Sequence, residues 1–313
     1  MSRASTGTTV LVKGNRPLWR GVVKLACRLL GHERAHYHSW LPWLKISGRT
    51  PLQAGAVHFH GRKIVDLCGL GELKARAGER IVIVGSGPSI KDADLSGLPP
   101  RTAILLNGAI SLIGQDIAMP LAVAIEDERF VWRHFDMIRN KIGKDTLCLL
   151  APGVIRALCE IDSDWLRGRH VILIDDVRKP YGLPRRSFDD LLDLDFAVLS
   201  LDETNGFSID PDKGVFQGGS VAISALQYAI AAGAREIGFI GVDISNADGP
   251  RFYEQAGNVA FSGIAGAEAR ILAHIALAKA YGEQHGVRLV NHSEVSALAL
   301  IGLESQPLDQ TRS

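Results

Sequence analysis

Residues 80–89 read Arg80-Ile81-Val82-Ile83-Val84-Gly85-Ser86-Gly87-Pro88-Ser89: an apolar β-branched run, two glycines one residue apart, then proline and serine. Such a run without polar alternation suits a strand covered on both faces, as in the middle of a parallel sheet. Gly85 and Gly87 let the chain turn tightly and approach a ligand with no Cβ in the way. Ser86 or Ser89 can cap the next helix, whose free N–H groups and dipole favour an anion. The loop fails the dinucleotide fingerprint, because position 90 is Ile where a third glycine is wanted, and no Walker lysine with Ser/Thr follows. A plain strand-to-helix turn is the simpler reading of the same residues.

Outward from this stretch the pattern repeats. Apolar runs recur at Ala103–Leu106, Leu121–Ile125, Leu147–Leu150, Val171–Ile174, Ile237–Ile240 and Val287–Val290. Helical stretches lie between them, most clearly at 219–232 and 265–284. Strand–helix alternation predicts an α/β, Rossmann-like, mostly parallel sheet with helices on both faces and right-handed crossovers. The segment 48–79 is expected to add a small strand pair around Val57–His60. Residues 176–216, rich in Asp, Arg and Pro, break the rhythm and are expected to form a lid or acceptor-side insertion. The expected organisation is an N-terminal segment over 1–47, a catalytic domain over 48–303 and a polar tail over 304–313.

The N-terminal segment is distinctive. Arg20, Lys24 and Arg28 recur at helical spacing among apolar residues, and Trp40, Leu41, Trp43 and Leu44 follow. A basic stripe on an apolar helix with tryptophans nearby is what an interfacial membrane segment over 17–45 requires. An amphipathic helix packed on the main domain reads equally well.

Composition excludes some classes. With 46% hydrophobic and 22% charged residues the chain is globular, and its net charge of +1 argues against nucleic acid as a partner. Four cysteines without a CxxC pair, no apolar leader over residues 1–14 and no run long enough to cross a bilayer predict a reduced, cytosolic location. His58 and His60 would share a strand face, but no third metal ligand is evident.

Other residues carry candidate chemistry. Asn107 ends the second strand, where open α/β sheets bind ligands, and its amide suits a ribose or phosphate; a turn-forming Asn-Gly is the alternative. Glu126 and Asp127 end the third, as base, metal ligand or solvated strand end. Gly218, Gly219 and Ser220 open a helix as a second backbone cradle. Asp243 ends the strand Ile237–Ile240, on the same sheet edge, and Arg251 and Tyr253 follow in a loop able to reach phosphates.

The loop Gly85-Ser86-Gly87-Pro88-Ser89, Asn107, the Gly218-Gly219-Ser220 helix start and Ile240-Gly241-Val242-Asp243 together resemble the bacterial sialyltransferases that use CMP-sugars. They are similar as well to a group containing the archaeal 6-hydroxymethyl-dihydropterin pyrophosphokinases and to lipopolysaccharide-core Kdo transferases. The likeness covers roughly residues 80–302. It implies nucleotide and phosphate contacts at Gly85, Ser86, Gly87 and Asn107, with Gly218, Gly219 and Ser220 near the nucleotide or donor sugar and Tyr253 a candidate for the phosphate; Pro88 and Ser89 join the candidate nucleotide site as part of the same loop. The sialyltransferase histidine base is missing from its place, which reads Ser262-Gly263-Ile264-Ala265-Gly266. His274 lies farther on, inside a helix, and is expected to be packed or exposed. Asp243, Glu126 and Asp127 stand in as candidate bases. The expected function is a glycosyltransferase on the cytosolic face, with a CMP-activated acidic sugar as donor, a lipid-linked glycan as acceptor and no cofactor. An ATP- and Mg²⁺-dependent diphosphotransferase and a non-catalytic nucleotide-binding scaffold are the alternatives.

Overall fold

The computed structural model describes residues 18–30, 42–50, 53–201, 205–243, 267–294 and 296–308. The expectations for residues 1–16, Trp40, Leu41, Arg251 and Tyr253 lie outside them.

Among the described residues twelve strands form in chain order: β1 (Leu44–Ser47), β2 (Ala56–Phe59), β3 (Arg62–Cys68), β4 (Arg80–Val84), β5 (Ala103–Leu106), β6 (Ala122–Ile125), β7 (Leu147–Leu150), β8 (Val171–Leu173), β9 (Ala197–Leu199), β10 (Gly206–Ser208), β11 (Glu236–Ile240) and β12 (Arg288–Asn291). The helices are α1 (Trp19–Leu29), α2 (Leu70–Arg76), α3 (Glu128–Lys141), α4 (Pro152–Asp162), α5 (Phe188–Leu192), α6 (Val221–Ala231) and α7 (Glu268–Gln284). Ten strands make one sheet in the order β1-β2-β3-β8-β7-β6-β5-β4-β11-β12. From β3 to β12 every neighbouring pair is parallel, and β1 and β2 extend the edge antiparallel. The protein is thus α/β and Rossmann-like.

The seven apolar runs form the parallel strands because each buries both faces. Ile81, Ile83, Ile104, Leu106, Ala122 and Ala124 meet α6 and α7 on one side. Val82, Val84, Leu105, Val123 and Ile125 meet α3 and α4 on the other. This period-2 division sends alternate side chains to two separate cores. Full burial of one such side chain contributes roughly 1.5–3 kcal/mol, so helices must cover both faces.

The sheet starts earlier than expected. β1 precedes the boundary placed at residue 48, and β2 with β3 belongs to the main sheet rather than to a separate hairpin. The segment 176–216 is not bare loop: it carries α5, with Ser187 and Asp190 as a capping box, and the β9–β10 pair. Val177, Leu191, Phe196 and Phe216 give it a small core of its own. Among the described residues no helix is long and apolar enough to cross a membrane.

Strand order reverses at β4. The chain runs outward from it through β5 to β8, then returns to place β11 on its other side. In open α/β sheets the carboxyl ends of the strands around such a switch point bind ligands.

Candidate functional site at the carboxyl edge

The loop after β4 departs from expectation. No α-helix follows it; Pro88–Asp92 is a single 3-10 turn with Gly87 as its N-cap and no side-chain cap. Asp94 accepts from the amide and hydroxyl of Ser96, and Pro99 and Pro100 follow, so the chain turns before a helix can propagate. The loop amides are also engaged within the protein. Gly85 donates to the Ile240 carbonyl (2.7 Å) and Gly87 to the Gly241 carbonyl (2.8 Å). Ser89 donates its amide (2.7 Å) and hydroxyl (2.5 Å) to the Asp243 carboxylate. A Cβ on Gly85 would overlap the Gly241 carbonyl, and one on Gly87 the Asp243 carboxylate. The glycines at positions 85 and 87 therefore bring two loops together. Asp243 anchors that junction rather than standing free as a base, and Ser86 is buried beside it. The expected open cradle for a phosphate at Gly85–Ser89 is corrected to an interlocked pair of loops.

The second glycine loop keeps a true helix start. Ser220 caps α6 by accepting from the Ala222 amide, and Gly219 adopts φ +102°, a conformation that suits glycine. As a crossover helix leading to β11, α6 begins at the carboxyl edge, where its N-terminal dipole favours negative charge. Arg270 of α7, absent from the expected set, donates from Nε to the Gly218 carbonyl at 2.9 Å. It sets a cation beside that helix start. One turn later His274 packs on Gly218 and brings Nδ1 to 2.8 Å from the Gly206 carbonyl. Burial depresses its pKa, so the ring is a neutral donor that fastens β10 beneath the loop. It is packed, as expected.

Three consecutive acids after β6 have three fates. Asp127 caps α3 through the Arg129 amide (2.9 Å) and pairs with the Arg129 guanidinium (2.8 Å). Glu128 turns to the opposite face and pairs with Arg20 at 2.8 Å, both side chains enclosed. Glu126 keeps its Oε1 buried with no hydrogen-bond partner among the described residues. Burial pushes its carboxyl up to about 7; the nearby Ser224 hydroxyl holds it down and the Asp176 charge pushes it further up. The Ser224 hydroxyl, in the first turn of α6, meets no partner in hydrogen-bond geometry among the described residues.

Asn107 adds to this edge. It stands at φ +45° directly after β5, and its Oδ1 is buried without a partner among the described residues. Asparagine tolerates that backbone, but a buried orphan oxygen costs about 1–3 kcal/mol unless something meets it. Asp176, in the segment expected to be a lid, is an acid absent from the expected set. Its carboxyl is raised mainly by burial, and it accepts from the Arg178 amide at 2.8 Å. The Asp175-Asp176 pair at the end of β8 parallels Glu126-Asp127 at the end of β6, a signal the sequence did carry.

Glu126 and Ser224 thus lie close together where α6 crosses β6, and Asn107 follows the neighbouring strand β5. An open cleft of about 480 Å³ lies beside α2, which follows β3, and is lined by Leu70, Lys74, Phe196, Asp210 and Lys213. Strand β3 is three strands from β6, and Lys213 is held in the cleft by Asp195 and Asp210. The orphaned groups on β5, β6 and α6 are the better candidates for chemistry.

No protein-family model matches the chain, and no curated protein sequence matches it. Among solved structures it is similar to the sialyltransferase CstII from Campylobacter jejuni in complex with the substrate analogue CMP-3FNeuAc. That pair shares 12% identity over 75% of this chain and 89% of that one, with a TM-score of 0.39. CstII in complex with cytidine-5'-monophosphate gives 13% identity, 75% and 87% coverage and a TM-score of 0.41. Likeness at this level assigns no role to any residue.

Proposed function

We propose that the chain is a glycosyltransferase that takes a CMP-activated acidic sugar, of the Kdo or sialic-acid kind, and passes it to a lipid-linked glycan. The observation that carries the chemistry is Glu126: a half-buried residue at the sheet edge whose carboxyl is pushed up to about 7 and whose Oε1 is buried without a partner among the described residues. A base of that strength is suited to accept a proton from an alcohol at neutral pH.

In the transfer, the acceptor oxygen forms a bond to the anomeric carbon while the bond from that carbon to the phosphate oxygen breaks. CMP departs with the electron pair, and the acceptor proton passes to Glu126. The α6 N-terminus and Arg270 balance the charge that grows on the leaving phosphate, which is electrostatic catalysis by groups already in place. Asn107 orients the sugar or ribose through its carboxamide. Arg251 and Tyr253 are further candidates for the phosphate. What supports cytidine as the base is the motif resemblance alone, and the scheme uses no metal.

Calorimetry with CMP and CDP against ATP, UDP and NAD, each with and without Mg²⁺, tests the reading. CMP binding that ignores magnesium, followed by Glu126-dependent release of CMP from CMP-sialic acid or CMP-Kdo, is the expected result. Magnesium-dependent ATP binding with no response to CMP would instead favour a diphosphotransferase, with Glu126 and Asp176 as metal ligands. Nucleotide binding without turnover, unaltered by Glu126→Gln, would favour a scaffold.

A further inference from the structure

Helix α1 is docked with Arg20 turned inward. Arg20, only 2% exposed, pairs with Glu128 at 2.8 Å, across 108 residues of chain. Facing outward, Leu18, Val22, Leu25 and Leu29 are 94%, 67%, 57% and 78% exposed. Their spacing of four, three and four residues aligns them in one row along the helix. A helix docked by the hydrophobic effect alone would bury that row. Here the ion pair sets the rotation, and the leucines are turned to solvent. Trp43 is a further exposed apolar group: it is 61% exposed, and its ring lies 5.9 Å from the Arg156 guanidinium. Arg156 in turn feels the charge of Arg20, so tryptophan and leucine row flank the same buried arginines.

Charge identifies the occupant. Residues 1–32 hold six Lys and Arg and no Asp or Glu, leaving 29 basic against 34 acidic residues in the rest of the chain. A cationic segment bearing an exposed apolar row fits an anionic lipid surface: headgroups attract the charge, and the headgroup–acyl boundary takes leucine and tryptophan. A second copy fits poorly. Two such segments would repel, and a helix of three turns is too short to bury the area of a stable dimer.

We infer that the outward face of α1, with Trp43, is a membrane-docking surface that lays the helix in the plane of an anionic bilayer. Glu128, which holds the helix, is two residues from Glu126. Docking therefore brings the bilayer to the carboxyl edge; that this delivers an acceptor rests on the proposed function, whereas the docking itself does not.

The test is co-sedimentation of the full chain with vesicles of phosphatidylcholine alone or mixed with phosphatidylserine. The wild-type chain should pellet with the mixed vesicles and be released by salt. The exposed-site double variant Leu25→Glu/Leu29→Glu should partition about tenfold or more weakly. Leu25→Ser/Leu29→Ser repeats the measurement with the smaller change should the glutamates disturb folding, as read by circular dichroism. Absence of wild-type binding, or equal binding by both variants, overturns the inference. So does a wild-type dimer in sedimentation velocity that the variants dissolve, which would make this face a self-association seam. CMP titration of the same samples separates the two claims: vesicle binding without CMP binding removes the proposed function and leaves the docking surface standing.

Discussion

The carboxylate of Asp243 sits over Ser89 and receives both its amide, at 2.7 Å, and its hydroxyl, at 2.5 Å. The contact joins the end of β11 to the loop after β4, and with Asp243 only 8% exposed these donors replace water around the charge. Asp243→Ala strands both donors and is expected to cost about 2–4 kcal/mol, whereas Asp243→Asn keeps an acceptor oxygen and should cost less. Urea unfolding of the three proteins checks this. Equal stability for the alanine variant would mean that the loops hold together without the tie.

Gly85 and Gly71 form a contrasting pair. A methyl group on Gly85 overlaps the Gly241 backbone, which cannot swing away, so Gly85→Ala should destabilise by more than about 3 kcal/mol. Nothing lies within 4 Å of a Cβ on Gly71, which is inside α2. Gly71→Ala should therefore stabilise by about 0.5–1 kcal/mol. Thermal unfolding midpoints that move in the same direction for both would contradict the close approach.

Glu126 should leave its mark on pH dependence. Its carboxyl holds a proton up to about 7 in the folded chain, against 4.5 ordinarily. Between those values the folded form binds the extra proton, so stability falls as pH rises from about 4.5 to about 7 and is level above. The full effect is at most roughly 3 kcal/mol. Glu126→Gln should flatten that slope and be the more stable protein above pH 7. Transfer should run the other way, rising through pH 7 as the carboxylate forms and disappearing in the glutamine variant. Unfolding and rate profiles measured side by side on both proteins decide the matter.

The Arg20–Glu128 pair makes a prediction about α1. Arg20→Ala leaves Glu128 enclosed without its cation, at a cost of about 3–5 kcal/mol if the helix stays docked and less if it lets go. Hydrogen exchange should report the release, with protection lost over Trp19–Leu29 and retained in the sheet. Combining Arg20→Met with Glu128→Leu should recover most of the stability. Unchanged protection in Arg20→Ala would show that other contacts hold the helix.

The sequence carried the sheet better than the site. All seven apolar runs became parallel strands because burial on two faces needs no long-range information to be recognised. Arg62–Cys68 is hard to read as a strand inside the sheet because its arginine, lysine and aspartate lie exposed among its buried apolar residues. Ser89 and Asp243 were each singled out, but only the fold shows them bonded to one another. Arg270 was legible only in hindsight, four residues before His274 on one face of α7. The inward turn of Arg20 had no local signal, because a leucine row at helical spacing ordinarily faces a core, and its partner lies far along the chain.

The crossing of Gly85 and Gly241 also governs when the protein can finish folding. A growing chain can lay β5 to β8 beside β4 and cover one face with α3 and α4. Until the segment of α6 and β11 leaves the ribosome, the far edge of β4 offers a bare Ile-Val-Ile-Val backbone to any passing strand. A nascent chain at that stage is exposed to edge-to-edge aggregation, and the long-range pairing that ends the danger is the slow kind. The switch point between β4 and β11 comes into existence late, at the moment when the bare edge of β4 stops being a hazard to its neighbours.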